Sequence, residues 1–396
     1  MTTMLGAGTT SVLLPRTEDE VRLLLLDAIA GNEPVRICGA STWTNAGAPI
    51  DAHHTLSLRD LSGIIAYVPG DLTITAWAGT SLAELGHATA AHRQWLGLDP
   101  AGDRMGTIGA TIATASSGPL AHAFGTPRDL VLGLNAVTGY GELVRPGGRV
   151  VKNVAGFDLV RLFTGSWGTL GAITSVTLRL RALPGHDVTL AMHAGDERRL
   201  IELVPLLRQN TLSLLACEWL DGTTARALGV SQGDDVVLVR FGGNDAFVRG
   251  QRAVLDGIAA SMVCDAAIWD AIAALDANAA AVIRMTGSVS TLAERMDRLR
   301  ASFREGGTSV AMHASFARGT IRVIVSGDPL SLRDAVQPAV QPAVQPAISN
   351  PHRIAERLPA AWWDAEQDPF SDGLAGRVRA AFDPHQLCNR RSVANA

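Results

Sequence analysis

The chain has 396 residues, 47% of them apolar and 18% charged, with a formal net charge of −4 at pH 7. That composition excludes a disordered chain, and scattered basic residues with few aromatics exclude the electrostatic footprint of a nucleic-acid binder. The length accommodates two domains, each with its own core.

Thr17-Glu-Asp-Glu20 has capping-box spacing ahead of the apolar run 21–29 and predicts a first helix. Residues 34–38 (PVRIC) predict a short strand, and residues 39–47 (GASTWTNAG) a small-residue loop. A strand followed by exposed N–H groups can cradle a pyrophosphate; an ordinary surface turn fits the same residues. Residues 54–58, 64–68 and 72–77 alternate between turn signals and read as strands of a mixed sheet. Ser81 and Glu84 cap a helix over 82–91. Leu98-Asp-Pro100 leads into Met105 to Gly118, where small residues alternate with β-branched ones. Such a segment can lie against a planar ring and offer N–H and hydroxyl donors without bulk, or it can be a closely packed helix. Residues 130–138 and 142–145 flank Gly139-Tyr-Gly141 and predict a hairpin. Lacking a third glycine and a following helix, that Gly-x-Gly is not a dinucleotide fingerprint.

The most informative stretch is 152–181, KNVAGFDLVRLFTGSWGTLGAITSVTLRLR. Gly165, Gly168 and Gly171 stand between an apolar helical patch at 159–163 and an alternating strand over 173–180. A helix C-cap explains one glycine. Three admit positive φ and close backbone approach to something flat or anionic. Beyond Pro184 the pattern changes. Strands are expected at 188–193, 212–220, 236–241, 282–285, 310–313 and 321–325, and helices at 197–207, 246–260 and 292–303, which together predict an α+β sandwich. Residues 335–346, AVQPAVQPAVQP, carry proline at every fourth position and predict an extended linker. A last helix at 374–382 runs into FDPHQLCN, residues 382–389.

Residues 152–174 resemble the end of the flavin domain in the vanillyl-alcohol-oxidase, or PCMH, type of FAD protein. Within that group the chain is most similar to the smaller FAD-binding subunits of bacterial glycolate oxidases, more weakly from about residue 34 to the C-terminus. The resemblance implies an α+β chain: a PCMH-type FAD-binding domain at 1–184, an α+β cap or substrate domain at 185–334, a proline-rich linker at 335–349, and a segment at 350–396 that returns to the flavin domain. It implies that Gly39, Ala40, Ser41 and Thr42 hold the FAD phosphates. Thr107, Ile108, Gly109 and Ala110 match the family's TIGG-type segment, with Asp99 before it and Thr114 and Gly118 after it. Gly168, Gly171 and Ile173 complete the expected cofactor set, the two glycines admitting the backbone to the isoalloxazine ring. On that basis Gly171→Val is expected to lose flavin while remaining folded. The first loop has no histidine of the kind that tethers flavin covalently in some relatives, so non-covalent FAD is expected. FDPHQLCN resembles the family's closing FDPxGxxN motif, with Gln386 in place of glycine and Arg390 in place of the proline that follows.

The function so implied is that of an FAD subunit in a glycolate oxidase or 2-hydroxy-acid dehydrogenase complex. It would convert a small 2-hydroxy acid to the 2-oxo acid and pass electrons to a larger flavin subunit and an iron–sulfur subunit. A self-sufficient dehydrogenase or oxidase of another small alcohol, and a non-catalytic flavin-binding scaffold, are the alternatives. Oxidising a 2-hydroxy acid needs a cation for the carboxylate, a base for the hydroxyl proton and a hydride acceptor. Lys152, Arg161, Arg240 and Arg318 are the candidate substrate cations, and a surface or structural ion pair is the more ordinary reading of each. No catalytic base stands out: His186, His193 and His313 are isolated in sequence. His53 and His54 point to opposite faces of a strand, and His87 and His92 miss the i, i+4 spacing of a metal pair, so no metal site is expected. Cys38, Cys217, Cys264 and Cys388 are far apart, without CxxC spacing, which argues against an internal iron–sulfur centre or a disulfide framework. The expected location is the cytoplasm, with any membrane association arising through partners.

Overall fold

The structure is a computed structural model. It describes residues 11–43, 46–148, 157–195, 202–203, 205–208, 211–305, 310–327, 352–365 and 373–391. Lys152 and the proline repeat at 335–346 lie outside the described residues. The chain forms two compact units, one of residues 1–117, 125–183 and 360–396, the other of 118–124 and 184–359. Two features differ from the expected boundaries. The chain leaves the first unit briefly at 118–124, and residues 350–359 join the second unit rather than the returning C-terminal segment.

In the first unit, β1 (Ser11–Leu13), β2 (Val35–Cys38) and β3 (His54–Ser57) make a parallel sheet with β3 in the middle. Helix α1 (Glu18–Gly31) connects β1 to β2. The Thr17 hydroxyl accepts from the Glu20 amide, the Glu20 carboxylate accepts from the Arg16 amide, and Asn32 ends the helix in the left-handed region. Val21, Leu25 and Ala28 form its buried stripe.

The second sheet is antiparallel and contains β4 (Ile64–Val68), β5 (Thr73–Trp77), β6 (Gln94–Leu96), β7 (Val131–Thr138), β8 (Leu143–Val144) and β9 (Gly171–Ala182). β9 is its axis, pairing with β5, β6 and β7. Both faces of β9 are buried from Gly171 to Leu178, so small and β-branched residues fill it continuously. Helices α2 (Leu82–Ala90) and α3 (Ile108–Thr114) are capped by the hydroxyls of Ser81 and Thr107.

The C-terminal helix Gly373–Phe382 and the residues after it close this unit. Phe382 packs edge-on against Phe163 with ring centroids 5.6 Å apart. Asp383 is fully buried, accepts from the amides of Leu387 and Cys388, and occupies the space where Gly139 lacks a side chain. Cys388 bridges to Val35, and the Arg390 carbonyl accepts from the Asp51 amide. Gln386 takes the left-handed conformation, φ 52°, where the related motif carries glycine, so the turn forms without it.

The second unit is one antiparallel sheet of eight strands: β10 (His186–Gly195), β11 (Ala216–Leu220), β12 (Asp235–Gly243), β13 (Ser261–Cys264), β14 (Ala281–Thr286), β15 (Val310–Ser315), β16 (Thr320–Val325) and β17 (His352–Arg357). Their spatial order is β13-β10-β12-β11-β15-β16-β14-β17. Helices Gly222–Ala227, Asp245–Asp256, Ile268–Ala273 and Leu292–Glu305 accompany it. Ala191, Ala216, Leu220, Val236 and Leu238 form a core with Ile268, Trp269 and Ile272. The two edge strands, β13 and β17, are absent from the expected pattern. β13 is four residues long, and β17 (HRIAER) carries little apolar signal. Buried charge holds β17 instead: Glu356 pairs with Arg284 and Arg322, and Arg322 also pairs with Asp276.

Candidate cofactor site

Loop 39–43 leaves the C-terminal end of β2. Its root is tied to β3 by the Ser57 hydroxyl, which donates to the Gly39 carbonyl at 2.9 Å. Ser41 is left-handed, φ 58°. The amides of Ala40, Ser41, Thr42 and Trp43 donate to nothing among the described residues. Consecutive free amides about a left-handed residue make a concave anion site. The Trp43 indole N–H is also buried without a partner.

Three neighbours hold this loop. A Cβ on Gly39 would lie 2.1 Å from Thr107 Oγ1, so only glycine lets the loop rest on the cap of α3. Trp43 stacks on Trp167, with centroids 6.4 Å apart. The third neighbour is Asn389, far away in sequence. Its Oδ1 accepts from the Ile37 amide at 2.6 Å, and its Nδ2 donates to the carbonyls of Trp167 at 2.7 Å and Ile37 at 3.3 Å. Asn389 thereby clamps the end of β2 to the turn at 165–168. That turn satisfies the last carbonyls of α3, because Gly165 N–H donates to Ile112 and Trp167 N–H to Ala113.

The structure therefore brings Gly39, Ala40, Ser41, Thr42, Thr107 and Gly168 into one neighbourhood. It gives the remaining expected residues other surroundings. At the start of α3 the amides of Ile108, Gly109, Ala110 and Thr111 are all used, on Thr80, Ala78, the Thr107 hydroxyl and Thr107 carbonyl respectively. A Cβ on Gly109 would lie 2.6 Å from that of Ala78, so this segment is the closely packed helix, with no spare amide at its start. The Thr114 hydroxyl donates back to the Ala110 carbonyl. Asp99 is half-buried in an irregular stretch, and Gly118 lies in the second unit. Ile173 is a core residue of β9 paired with Ala136.

Two glycine expectations are corrected. At Gly168 the atom that excludes a side chain is Asn389 Nδ2, 2.4 Å from the Cβ position. At Gly171, φ 136°, the excluding atom is the Val137 carbonyl oxygen of β7, at 2.1 Å. Close approach to protein accounts for both, so Gly171→Val threatens the sheet itself.

Of the candidate substrate cations, Arg161 is 65% exposed and pairs with Asp158 at 3.3 Å. Arg240 makes a two-pronged pair with Asp187, at 3.0 and 2.6 Å, and sits over the Trp269 ring. Arg318 is half-buried in the turn between β15 and β16. The ion-pair alternative describes Arg161 and Arg240. His313, isolated in sequence, is not isolated in space: its Nδ1 lies 3.0 Å from Glu218 Oε2 across β11 and β15. No short-range motif joins residues 95 positions apart. Among the described residues no group of three His, Cys, Asp or Glu could hold a metal ion, and no helix is long and apolar enough to cross a membrane.

The donors at 40–43 fit an anionic group such as the FAD diphosphate. Comparison with known proteins points the same way. Residues 9–147 match the model of an FAD binding domain family. The chain is 34% identical over 232 residues to glycolate oxidase subunit GlcE of Escherichia coli (strain K12), covering 58% of this chain and 62% of the relative. It is 29% identical over 261 residues to the mitochondrial D-lactate dehydrogenase [cytochrome] of Arabidopsis thaliana, covering 63% and 44%. It is 32% identical over 181 residues to glycolate oxidase subunit GlcD of Bacillus subtilis (strain 168), covering 46% and 38%. The matches thus span between 38% and 62% of these relatives' lengths. Among solved structures, p-cresol methylhydroxylase with substrate bound matches with a TM-score of 0.76 at 13% identity, covering 98% of this chain and 90% of that one. An alkyldihydroxyacetonephosphate synthase matches with a TM-score of 0.71 at 16% identity, covering 96% and 76%. At such identities the likeness establishes the fold.

Proposed function

We propose that this chain, whose residues 9–147 match an FAD binding domain family, serves as the FAD-binding subunit of a complex that oxidises a small 2-hydroxy acid to the 2-oxo acid. The observation that carries this reading is the cradle of free amides at Ala40 to Trp43, pinned at its root by Asn389. The names of the relatives supply the substrate class: two are glycolate oxidase subunits and one is a D-lactate dehydrogenase. FAD, when bound, supplies the two-electron acceptor. It is held non-covalently, its diphosphate on the amides of residues 40–43, with the Gly39–Thr107 contact and the Asn389 clamp setting their spacing. Electrons then pass to a larger flavin subunit and an iron–sulfur subunit. The complex is cytoplasmic, and any membrane contact is made by those partners.

The test is an assay with glycolate and D-lactate and a dye acceptor, using the full chain alone and co-expressed with both partners. Little turnover alone and full turnover in the complex is the expected result. Full turnover by the isolated chain would show a self-sufficient enzyme. No turnover in any combination, with FAD still bound, would make the chain a flavin-binding scaffold.

A further inference from the structure

The register of the parallel sheet in the first unit gathers three polar side chains at the end where its strands begin. Ser11 opens β1, His54 opens β3, and the two lie opposite one another. On its other side His54 lies opposite Val35, the first residue of β2, and Glu33 stands just before that strand. Ser11 Oγ is 2.7 Å from His54 Nδ1, and His54 Nε2 is 2.9 Å from Glu33 Oε2. All three residues belong to the first unit.

These contacts fix where the protons lie. A carboxylate only accepts, so the Glu33 oxygen draws the imidazole proton to Nε2. Nδ1 is then a free lone pair, and the Ser11 hydroxyl donates to it. A hydroxyl on a base that a third group orients is the arrangement that activates serine for attack on a carbonyl. In the Ser-His-Asp template the acid holds Nδ1 and the serine Nε2. Here the two nitrogens exchange places, and the imidazole still takes a proton on one side while its other side stays held. The site is open to solvent. The side chains of His54 and Glu33 are 27% and 40% exposed, and Ser11 is partly exposed. A small reagent therefore meets the hydroxyl directly, without a cavity. The other Glu33 oxygen lies 4.0 Å from Nδ1 of the exposed His53.

We propose that Ser11 is a nucleophile that accepts acyl groups from activated esters, with His54 as its base and Glu33 as the residue that positions His54. This activity lies beyond 2-hydroxy-acid oxidation and uses no flavin. Ser11 Oγ forms a bond to the acyl carbon, and its own O–H bond breaks, the proton going to His54 Nδ1. The bond from the acyl carbon to the leaving oxygen then breaks with its electron pair. The imidazolium returns its proton to that oxygen, so an ester on Ser11 and a free alcohol result. Nothing is oxidised or reduced.

The probe is p-nitrophenyl acetate, added to the full-length protein, with acetylated positions located by peptide mass mapping. Ser11 should be acetylated faster in the folded protein than in the urea-unfolded chain, and Ser11→Ala should remove that label. His54→Gln should slow acetylation of Ser11 about 100-fold, the usual range for loss of a general base. Added imidazole should restore labelling of Ser11 in His54→Ala, which a merely structural histidine would not allow. Glu33→Gln should slow labelling and move the proton of His54 off Nε2 in 15N-histidine spectra, with the melting midpoint unchanged. Ser11 acetylated no faster in the folded than in the unfolded chain, or as fast in His54→Gln as in the wild type, overturns the proposal. If the His54 variants fail to fold, Glu33→Gln decides: a slowed label supports the site and an unchanged rate overturns it. FAD binding and 2-hydroxy-acid turnover should be the same in Ser11→Ala as in the wild type, so the failure of either reading is seen separately from the other.

Discussion

Replacing Asn389 by glycine separates the cofactor cradle from its support. Asn389 is left-handed, φ 45°, so glycine retains the backbone while removing the side chain. Three hydrogen bonds disappear, at 2.6, 2.7 and 3.3 Å. At about 1 kcal/mol net for each neutral bond, with the longest contributing least, the loss is about 2–3 kcal/mol. The bonds join the end of β2 to the turn at 165–168, so the cost falls on the geometry that FAD binding requires. If FAD binding must restore that geometry, about 2 kcal/mol weakens it roughly 30-fold. The assay is titration of the apoprotein with FAD, followed by quenching of flavin fluorescence, alongside the urea midpoint. Asn389→Asp is the companion variant. It keeps an acceptor for the Ile37 amide but turns a second oxygen toward two carbonyls, so it should bind FAD no better than Asn389→Gly. An Asn389→Gly protein with FAD affinity within threefold of wild type would refute the clamp.

Gly171→Val should abolish soluble folded protein rather than only its flavin, because the new Cβ would lie 2.1 Å from the Val137 carbonyl at φ 136°; expression yield and the melting curve report this. Acid precipitation of the native protein should release all flavin into the supernatant, as measured by absorbance; colour retained in the pellet would contradict non-covalent binding. Burial raises the Asp221 carboxyl above the ordinary range, against the hydrogen bonds from Thr224 and Met312 and the charge of Arg300, which lower it. The folded state therefore holds this proton more tightly than the unfolded state, and the stability it contributes is present in acid and lost as pH rises through the raised value. Asp221→Asn keeps both bonds to Oδ1, from the amides of Thr224 at 2.9 Å and Met312 at 3.0 Å. Its melting midpoint should gain on the wild type as pH rises above the ordinary carboxylate range, and parallel curves would contradict the assignment.

Local signals in the sequence were sufficient for the elements of the first unit. Caps at Thr17 and Ser81 act within one helical turn, and alternation at 64–68 and 73–77 acts within one strand, so both are legible from a few neighbouring residues. The glycines at 39, 168 and 171 were legible as glycines that something approaches closely. What approaches them was not, because Thr107, Asn389 and β7 arrive from elsewhere in the chain. The edge strands β13 and β17 were missed for a related reason: one is too short to show a period, and the other is held by Arg284 on its neighbour β14 and by Arg322 on β16, one strand further in. By itself the sequence determined a small-residue loop after β2, the capped helices and a second α+β unit. Only the tertiary structure decided that Asn389 clamps the end of β2 across 352 residues and that Glu218 finds His313 across 95. Hydrogen bonds of this kind depend on strand register and chain return, which no local pattern of residues encodes.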